Sequence, residues 1–290
     1  MKIAVVSCVK LQQVNPQPAW QQIAAERPDV LLLLGDTVYL DHDRIRSPAV
    51  LAAELKALYA AQLAEPNFAA LLADVRARGG RVEAIYDDHD FLGNNRYGGD
   101  APALAAVARA ELVAAFNPPR TGADVYRNVR VNNVELVVLD ERFYRRKPHD
   151  SKRNRNAVLG AAQWTWFESV VAQTSAAFLV VASSTTVHRW GDESWEQYPA
   201  AFERLRALIG GRVGAFVVSG DIHRNEMYDD SGIVEVVSSG LARLGLIFKA
   251  RRENWGLLTF DNLGVRVELH GLKARDRFDV RIELADWRLP

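Results

Sequence analysis

The sequence lacks the residues and runs that mark several classes of protein. Its one cysteine, Cys8, has no partner for an internal disulfide bond. Its net charge is zero, since 36 Lys and Arg residues balance 36 Asp and Glu residues, which argues against stable nucleic-acid binding. No apolar run approaches the roughly 20 residues that a membrane span needs, and the apolar start of the chain is too short for a signal peptide. We therefore expect a cytoplasmic protein without a membrane span.

The composition is that of an ordinary globular protein. Of the 290 residues, 49% are hydrophobic and 25% are charged, a balance that excludes a disordered chain, a collagen-like fibre and a coiled coil. No internal repeat is visible, and no linker rich in Pro, Gly or Ser divides the chain. The sequence therefore predicts a single domain over residues 1–290.

Short apolar runs alternate with segments of helical period along most of the chain. Strands are predicted at 3–9, 29–34, 82–86, 178–182 and 213–218, and helices at 15–27, 48–63, 66–78, 101–116, 159–174 and 196–209. A hairpin is predicted from 125–131 and 134–139, and short antiparallel strands at 234–238, 256–260, 265–270 and 279–284. This order predicts an α/β fold with two layers of sheet between two layers of helix.

Four of the predicted strands end in side chains that can bind a metal ion. They are followed by Ser7-Cys8, by the segment 35–39, by the acidic segment 87–90 and by the segment 220–223. In open α/β sheets, ligands collect beyond the carboxyl ends of the strands. If these strands are neighbours, one small volume receives Cys8, Asp36, Tyr39, Asp88, His89, Asp221 and His223.

Acidic side chains gathered in this way favour a cation, because carboxylates that share a pocket raise each other's pKa. The mixture of thiol, phenol, carboxylate and imidazole suits iron, zinc or manganese better than magnesium alone. A carboxylate that bridges two ions would make a two-metal site. Each residue also has a structural explanation. Cys8 could be a small buried apolar residue, Gly35-Asp36 a turn, Tyr39 a core residue and 87–90 a solvated loop.

The same segments resemble a known family of enzymes. Residues 35–39 (GDTVY), 88–90 (DHD) and 220–223 (GDIH) resemble motifs of the calcineurin-like metallophosphatases, and in particular those of the alkaline phosphatase D, or PhoD-like, branch. Residues 6–8 (VSC), 85–95 (IYDDHDFLGNN), 139–145 (LDERFYR) and 159–167 (LGAAQWTWF) resemble further segments of that branch, in the same order. The resemblance covers residues 1 to about 225, and it implies a four-layer αββα sandwich with two mixed sheets.

The resemblance also implies a binuclear metal site. It assigns Asp36 to the position that bridges both ions, and Cys8, Tyr39 and His223 to an iron-type site. Asp88 and Asp221 take the positions of further metal ligands, with Asp87 as an alternative to Asp88 if the loop is shifted by one residue. The metals implied are iron and a second divalent ion, which could be calcium, zinc or manganese.

The implied reaction is hydrolysis of a phosphomonoester or phosphodiester by in-line attack of a metal-held hydroxide. His89 matches the histidine that steadies the transferring phosphoryl group or protonates the leaving group, and Arg142 is a candidate catalytic phosphate clamp. Asn95 and His188 are further candidates for substrate binding. The expected substrate is a small-molecule, nucleotide or lipid-type phosphate ester. The alternative is a weakly active or inactive member that binds a phosphorylated ligand or a partner.

Overall fold

Apolar runs form two large sheets in the computed structural model, which describes residues 1–40, 47–116, 123–147, 158–188, 191, 193–244 and 251–289. The strands in chain order are β1 Lys2–Val6, β2 Val30–Leu34, β3 Arg81–Ile85, β4 Arg127–Val131, β5 Val134–Val138, β6 Phe178–Ala182, β7 Ala215–Ser219, β8 Asn225–Asp230, β9 Ile233–Ser238, β10 Arg243–Leu244, β11 Arg251–Arg252, β12 Trp255–Phe260, β13 Gly264–His270 and β14 Phe278–Glu283. The first six-stranded sheet has the order β14-β13-β12-β1-β2-β3, and the second has the order β4-β5-β6-β7-β9-β8. β10 and β11 form a separate two-stranded ribbon.

The first sheet is parallel in one half and antiparallel in the other, whereas the second is parallel at its centre and antiparallel at both edges. β1, β2 and β3 pair in parallel, as do β5, β6, β7 and β9. The last three strands of the first sheet are antiparallel, as the sequence predicts. Because parallel strands place their carboxyl ends at the same edge of a sheet, the loops that follow β1, β2 and β3 lie side by side.

The two sheets face each other across a shared core. In the second sheet, alternate residues such as Leu136, Val180 and Val218 belong to the same apolar cluster as the first sheet. Their neighbours, such as Val137 and Val181, belong to a second cluster on the opposite face. This alternation follows from the two-residue period of a strand. Both faces of the second sheet are therefore covered.

Six α-helices within the described ranges cover the outer faces. They are α1 Ala19–Glu26, α2 Pro48–Leu63, α3 Pro66–Ala77, α4 Pro102–Phe116, α5 Ala161–Gln173 and α6 Pro199–Ile209. Four of them begin with proline, whose missing N–H costs nothing in the first helical turn. Apolar residues of α1 to α4 join the cluster of the first sheet, and those of α5 and α6 pack on the second sheet. The four-layer αββα arrangement with two mixed sheets is thus confirmed.

Several predicted boundaries move by a few residues. α1 begins at Ala19 rather than at residue 15, after Pro16 and Pro18, and α6 begins at Pro199 rather than at 196, after a short 3-10 helix at Trp195–Gln197. The sequence analysis missed β8, β10 and β11. No helix in the described ranges is long and apolar enough to cross a membrane. The cytoplasmic location and the single-domain assignment stay predictions.

Candidate metal centre

The loops after β1, β2 and β3 are held together by close backbone packing. The Cys8 N–H donates to the Gly35 carbonyl at 3.3 Å, and the Val9 N–H donates to the Asp36 carbonyl at 2.7 Å. A Cβ on Gly35 would lie 2.4 Å from the Asp87 nitrogen, and Gly35 has a φ of 95°. Only glycine allows this conformation and this approach. The Gly-Asp pair after β2 therefore lets the loop after β3 come close.

The Asp90 side chain connects the loop after β2 with the loop after β3. Its two carboxylate oxygens accept the backbone N–H groups of Asp36 at 3.0 Å, of Thr37 at 2.9 Å and of Asp87 at 2.6 Å. Burial raises the pKa of Asp90 to about 8, although these three hydrogen bonds favour its charged form. Asp90 thus fixes the positions of two loops at once.

The first group of candidate ligands consists of Cys8, Asp36 and His223. One ligand atom from each of the three lies within 4.8 Å of the others. Tyr39 belongs beside them, because its hydroxyl donates to Asp36 Oδ2 at 2.8 Å. The Cys8 Sγ lies 3.5 Å from the same oxygen. The structure therefore brings together the four residues that the resemblance assigns to the iron-type site.

The second group consists of Asp36, Asp88 and His89, again with ligand atoms within 4.8 Å of one another. Asp88 Oδ2 accepts the backbone N–H of Asn95 at 2.7 Å, whereas its buried Oδ1 has no hydrogen-bond partner among the described residues. Asp87 also has a buried oxygen, Oδ2, without a partner in the described ranges, but its Oδ1 accepts from Arg142 at 2.6 Å and Asp87 is not part of this group. Of the two neighbouring acids that the sequence left open, the geometry therefore favours Asp88 as the ligand. Asp36 belongs to both groups.

Asp221 lies beside these groups without belonging to either set of three. Its carbonyl oxygen lies 3.6 Å from the Cys8 Sγ, which donates to it. Burial and the charges of Asp87 and Asp88 raise the pKa of Asp221 well above its usual value. Asp221 is thus close enough for the charges of neighbouring acids to raise its pKa. Its role as a metal ligand stays a prediction.

The electrostatics of the cluster favour a bound cation. Burial, followed by the charges of Asp88 and Asp87, raises the pKa of Asp36 well above its usual value. Burial and Asp36 likewise raise the pKa of the Cys8 thiol. Burial and the charge of Arg243 lower the pKa of His223 to about 3, so its imidazole is neutral, and its buried Nε2 has no hydrogen-bond partner among the described residues. Crowded acids and an unpartnered neutral imidazole fit metal ions as the missing partner.

The backbone is strained at the same place. Cys8, Asp36, Asp221 and His223 have positive φ values of 58°, 53°, 72° and 55°. Left-handed backbone costs a residue with a side chain about 1–2 kcal/mol. Strain of this kind persists where the surrounding structure enforces it, and it concentrates at functional sites. Here it coincides with four of the candidate ligands.

Arg142 is completely buried, and carboxylates surround its guanidinium group. Its Nη1 and Nη2 donate to the two oxygens of Glu193 at 2.8 and 2.9 Å, and its Nε donates to Asp87. Burial opposes a charge on Glu193, but the charge and hydrogen bonds of Arg142, together with the charge of Arg145, lower its pKa to about 2. The pKa of Asp87 is instead raised to about 6, because burial and the charge of Asp88 outweigh Arg142. Sequence analysis did not single out Glu193. The substrate-binding and catalytic roles of Arg142 stay predictions.

The two other substrate-binding candidates lie in different surroundings. Asn95 is exposed and is tied to the cluster through its backbone bond to Asp88. His188 is buried elsewhere, with its Nδ1 at 2.9 Å from Glu235 Oε2 and its Nε2 at 3.1 Å from Ser231 Oγ. The structure does not bring His188 together with the candidate ligands, and the substrate contact assigned to it remains a prediction.

The buried pair His188–Glu235 predicts a stability that depends on pH. Burial opposes a charge on His188, but the hydrogen bond and charge of Glu235 raise its pKa. Stability from the ionised pair is therefore complete below the unfolded pKa of about 6.5 and is lost as pH rises through the raised folded value. In urea unfolding, the loss of stability from His188→Gln should be larger at pH 6 than at pH 9. An equal loss at both pH values would contradict this account.

Comparisons with known proteins identify a sequence family and two related folds. A family model described as PhoD-like phosphatase matches residues 3–245. A solved structure described as that of PhoD has 18% sequence identity and a TM-score of 0.71, and the match covers 100% of this chain and 71% of that chain. GAP50, described as the anchor in the inner membrane complex of Plasmodium, has 13% identity and a TM-score of 0.57, covering 98% of this chain and 88% of that chain.

The two structural likenesses show the fold alone at these identities, and no curated protein sequence matches the chain significantly. The family match is different in kind, because it is a match of sequence and spans most of the chain. It includes both groups of candidate ligands and the loops that position them. The chain belongs to the PhoD-like phosphatase family.

Proposed function

We propose that this chain is a metal-dependent phosphoric ester hydrolase that acts on phosphomonoesters or phosphodiesters. The observation that carries the proposal is the place of Asp36, a buried carboxylate that belongs to two groups of metal ligands at once. Family membership supports the hydrolysis of phosphoric esters as the reaction. Small-molecule, nucleotide or lipid-type esters are the proposed substrates.

The proposed metals are iron, held by Cys8, Asp36, Tyr39 and His223, and a second divalent ion, held by Asp36, Asp88 and Asp221. Thiol, phenol and imidazole ligands suit iron, whereas carboxylates suit calcium or manganese and are also found on zinc. When bound, two such ions neutralise charge on a phosphoryl group and lower the pKa of water toward neutrality.

His89 is the proposed proton donor to the leaving oxygen. Its backbone N–H donates to Asp36 Oδ1 at 3.2 Å, and its ring packs on the Tyr39 ring with centroids 4.3 Å apart. These contacts hold the imidazole within the second group, where the proposal assigns it to the substrate oxygen rather than to a metal ion. General acid catalysis by a positioned histidine typically contributes about 10²–10⁴-fold to the rate.

The proposal is tested by metal content and turnover measured together. Protein purified without chelators should contain about two metal ions per chain by elemental analysis. It should hydrolyse p-nitrophenyl phosphate, bis(p-nitrophenyl) phosphate or both, and lose this activity when the metals are stripped. His89→Ala should keep the metals and lose about 10²–10⁴-fold in kcat. Full activity after exhaustive metal removal would refute the proposal. Bound metal without turnover of any ester would favour the binding protein considered above.

A further inference from the structure

The two-stranded ribbon beside the metal centre places two arginines opposite each other. In the antiparallel pair of β10 and β11, Arg243 is directly opposite Arg252. β10 begins one residue after Ala242, which bridges to Val9 next to Cys8. Like charges directly opposite on an antiparallel pair are destabilising. The ribbon thus carries an unfavourable pair of charges immediately next to the candidate ligands.

Both arginines contact residues of the iron-type site. The Arg243 guanidinium carbon lies 4.6 Å from the centre of the Tyr39 ring, and its buried Nε has no hydrogen-bond partner in the described part of the chain. Arg252 Nη1 donates to the backbone carbonyl of His223. The ammonium group of Lys10 lies 5.1 Å from the centre of the same Tyr39 ring and adds positive charge there.

Acidic neighbours do not balance this charge. Arg251, Arg224 and Arg275 each have a carboxylate within 4.0 Å, on Glu253, Glu226 and Asp276 respectively. Within the described ranges, neither Arg243 nor Arg252 has such an ion pair. Burial lowers the pKa of Arg252, and although Asp276 opposes this, the charges of Arg224, Arg275 and Arg243 lower it further. An anion between the two guanidinium groups would relieve the repulsion.

We propose that Arg243 and Arg252 bind a second anionic group of the substrate, a carboxylate or phosphate separate from the phosphoryl group that reacts. This inference rests on the proposed function. A guanidinium group presents paired N–H donors that match the oxygens of a carboxylate or phosphate. Because the pair borders Tyr39 and His223, a substrate held at the metals would reach it through its alcohol portion. The favoured substrates are therefore phosphoric esters whose alcohol carries a negative charge.

The test compares two phosphodiesters that differ only in this charge. One is the p-nitrophenyl phosphodiester of 4-hydroxybutanoate, and the other is that of 4-hydroxybutanamide. For the metal-loaded protein at low salt, kcat/KM should be about tenfold higher for the carboxylate, the scale of one charge-assisted hydrogen bond. The preference should decline in 0.5 M NaCl, because salt screens partly exposed charges.

Variants of the ribbon identify the residues responsible. Arg243→Gln and Arg252→Gln should each reduce the preference toward unity while keeping the metal content of the native protein. Arg251→Gln is the matched control, because Arg251 is the strand neighbour of Arg252, points to the other face and pairs with Glu253 at 2.7 Å. It should retain the full preference.

The results separate this inference from the proposed function. Hydrolysis of both esters at equal kcat/KM, or a preference that survives both glutamine variants, would overturn the anion subsite and leave the hydrolase intact. If neither diester is hydrolysed, p-nitrophenyl phosphate still tests the proposed function, and calorimetric titration with the same two compounds tests the subsite. In that case, tighter binding of the carboxylate by the native protein than by Arg243→Gln supports the subsite, and equal binding refutes it.

Discussion

Asp36→Asn is expected to abolish turnover and, at the same time, to stabilise the metal-free protein. Both groups of candidate ligands include Asp36, so its loss weakens both at once. Metal ions contribute several kcal/mol to the stabilisation of charge in the transition state, so kcat should fall at least about 10³-fold. Elemental analysis should find fewer than two metal ions per chain in this variant.

The effect on stability has the opposite sign, because the acidic cluster repels itself without a cation. Burial and the surrounding carboxylates raise the pKa of Asp36 well above its usual value, so the ionised group destabilises the fold at neutral pH. Asparagine keeps the size of the side chain and removes the charge. The metal-free variant should therefore have a higher Tm than the metal-free native protein, by about 2–4 °C for each kcal/mol of repulsion removed.

Asp90→Asn is the control, since it makes the same substitution in the same cluster. Both oxygens of Asp90 accept backbone N–H groups, and the nitrogen of an asparagine amide cannot accept one. This variant should lower the Tm of the metal-free protein. Calorimetry in EDTA at pH 7.5 measures both variants. A metal-free Asp36→Asn protein that unfolds below the native protein would show that repulsion is not the dominant effect at Asp36.

The strands and the candidate ligands were predictable because their signals are local. An apolar run such as residues 30–34 predicts a buried strand without reference to the rest of the chain. The polar residues that follow such runs lie at strand ends, and parallel pairing then brings Asp36 and the acids after β3 to one edge. The starts of α2 at Pro48 and α3 at Pro66 were predictable for the same reason, since proline at the first turn is a local preference.

The residues that position the ligands were not predictable, because their roles depend on distant partners. Glu193 lies 51 positions from Arg142 in the chain, and no pattern around it indicates an ion pair. Asp90 holds two loops together by accepting three backbone N–H groups, and the sequence does not show which N–H groups a side chain will meet. The strands β10 and β11 have two residues each, too few for a periodic signal. The ambiguity between Asp87 and Asp88 had the same origin, since two contacts with distant residues distinguish them: Asp87 binds Arg142, and Asp88 lies beside Asp36.

Arg142→Ala is expected to cause the largest loss of stability among the variants considered. Its guanidinium group is completely buried and binds Asp87 and Glu193, which are buried as well. Its removal leaves two buried carboxylates without this cation. The loss of one partner from a buried ion pair typically costs about 3–5 kcal/mol. Urea unfolding of the metal-free protein at pH 7.5 should show a loss of this size.

The carboxylates themselves supply the control for this mechanism. If the loss comes from uncompensated charge, the triple variant Arg142→Met, Asp87→Asn, Glu193→Gln should recover most of it, because all three charges of this buried ion-pair group are then removed together. Arg266→Ala, which breaks an exposed pair with Asp279, should change stability little. A triple variant as unstable as Arg142→Ala would instead indicate that packing around the side chain is what matters.

Arg142→Ala also distinguishes two roles for Arg142, a structural ion pair and a phosphate clamp. A phosphate clamp must donate to substrate oxygens, so its loss would raise KM or lower kcat in a protein of nearly native stability. In the structure, Nε, Nη1 and Nη2 all donate to carboxylates, and the side chain has no exposed surface. A substrate would have to displace Glu193, whose depressed pKa reflects how strongly the guanidinium favours its ionised form. We therefore expect Arg142→Ala to lower the stability of the protein strongly and to change KM little. A variant of nearly native stability with a raised KM would establish the clamp instead.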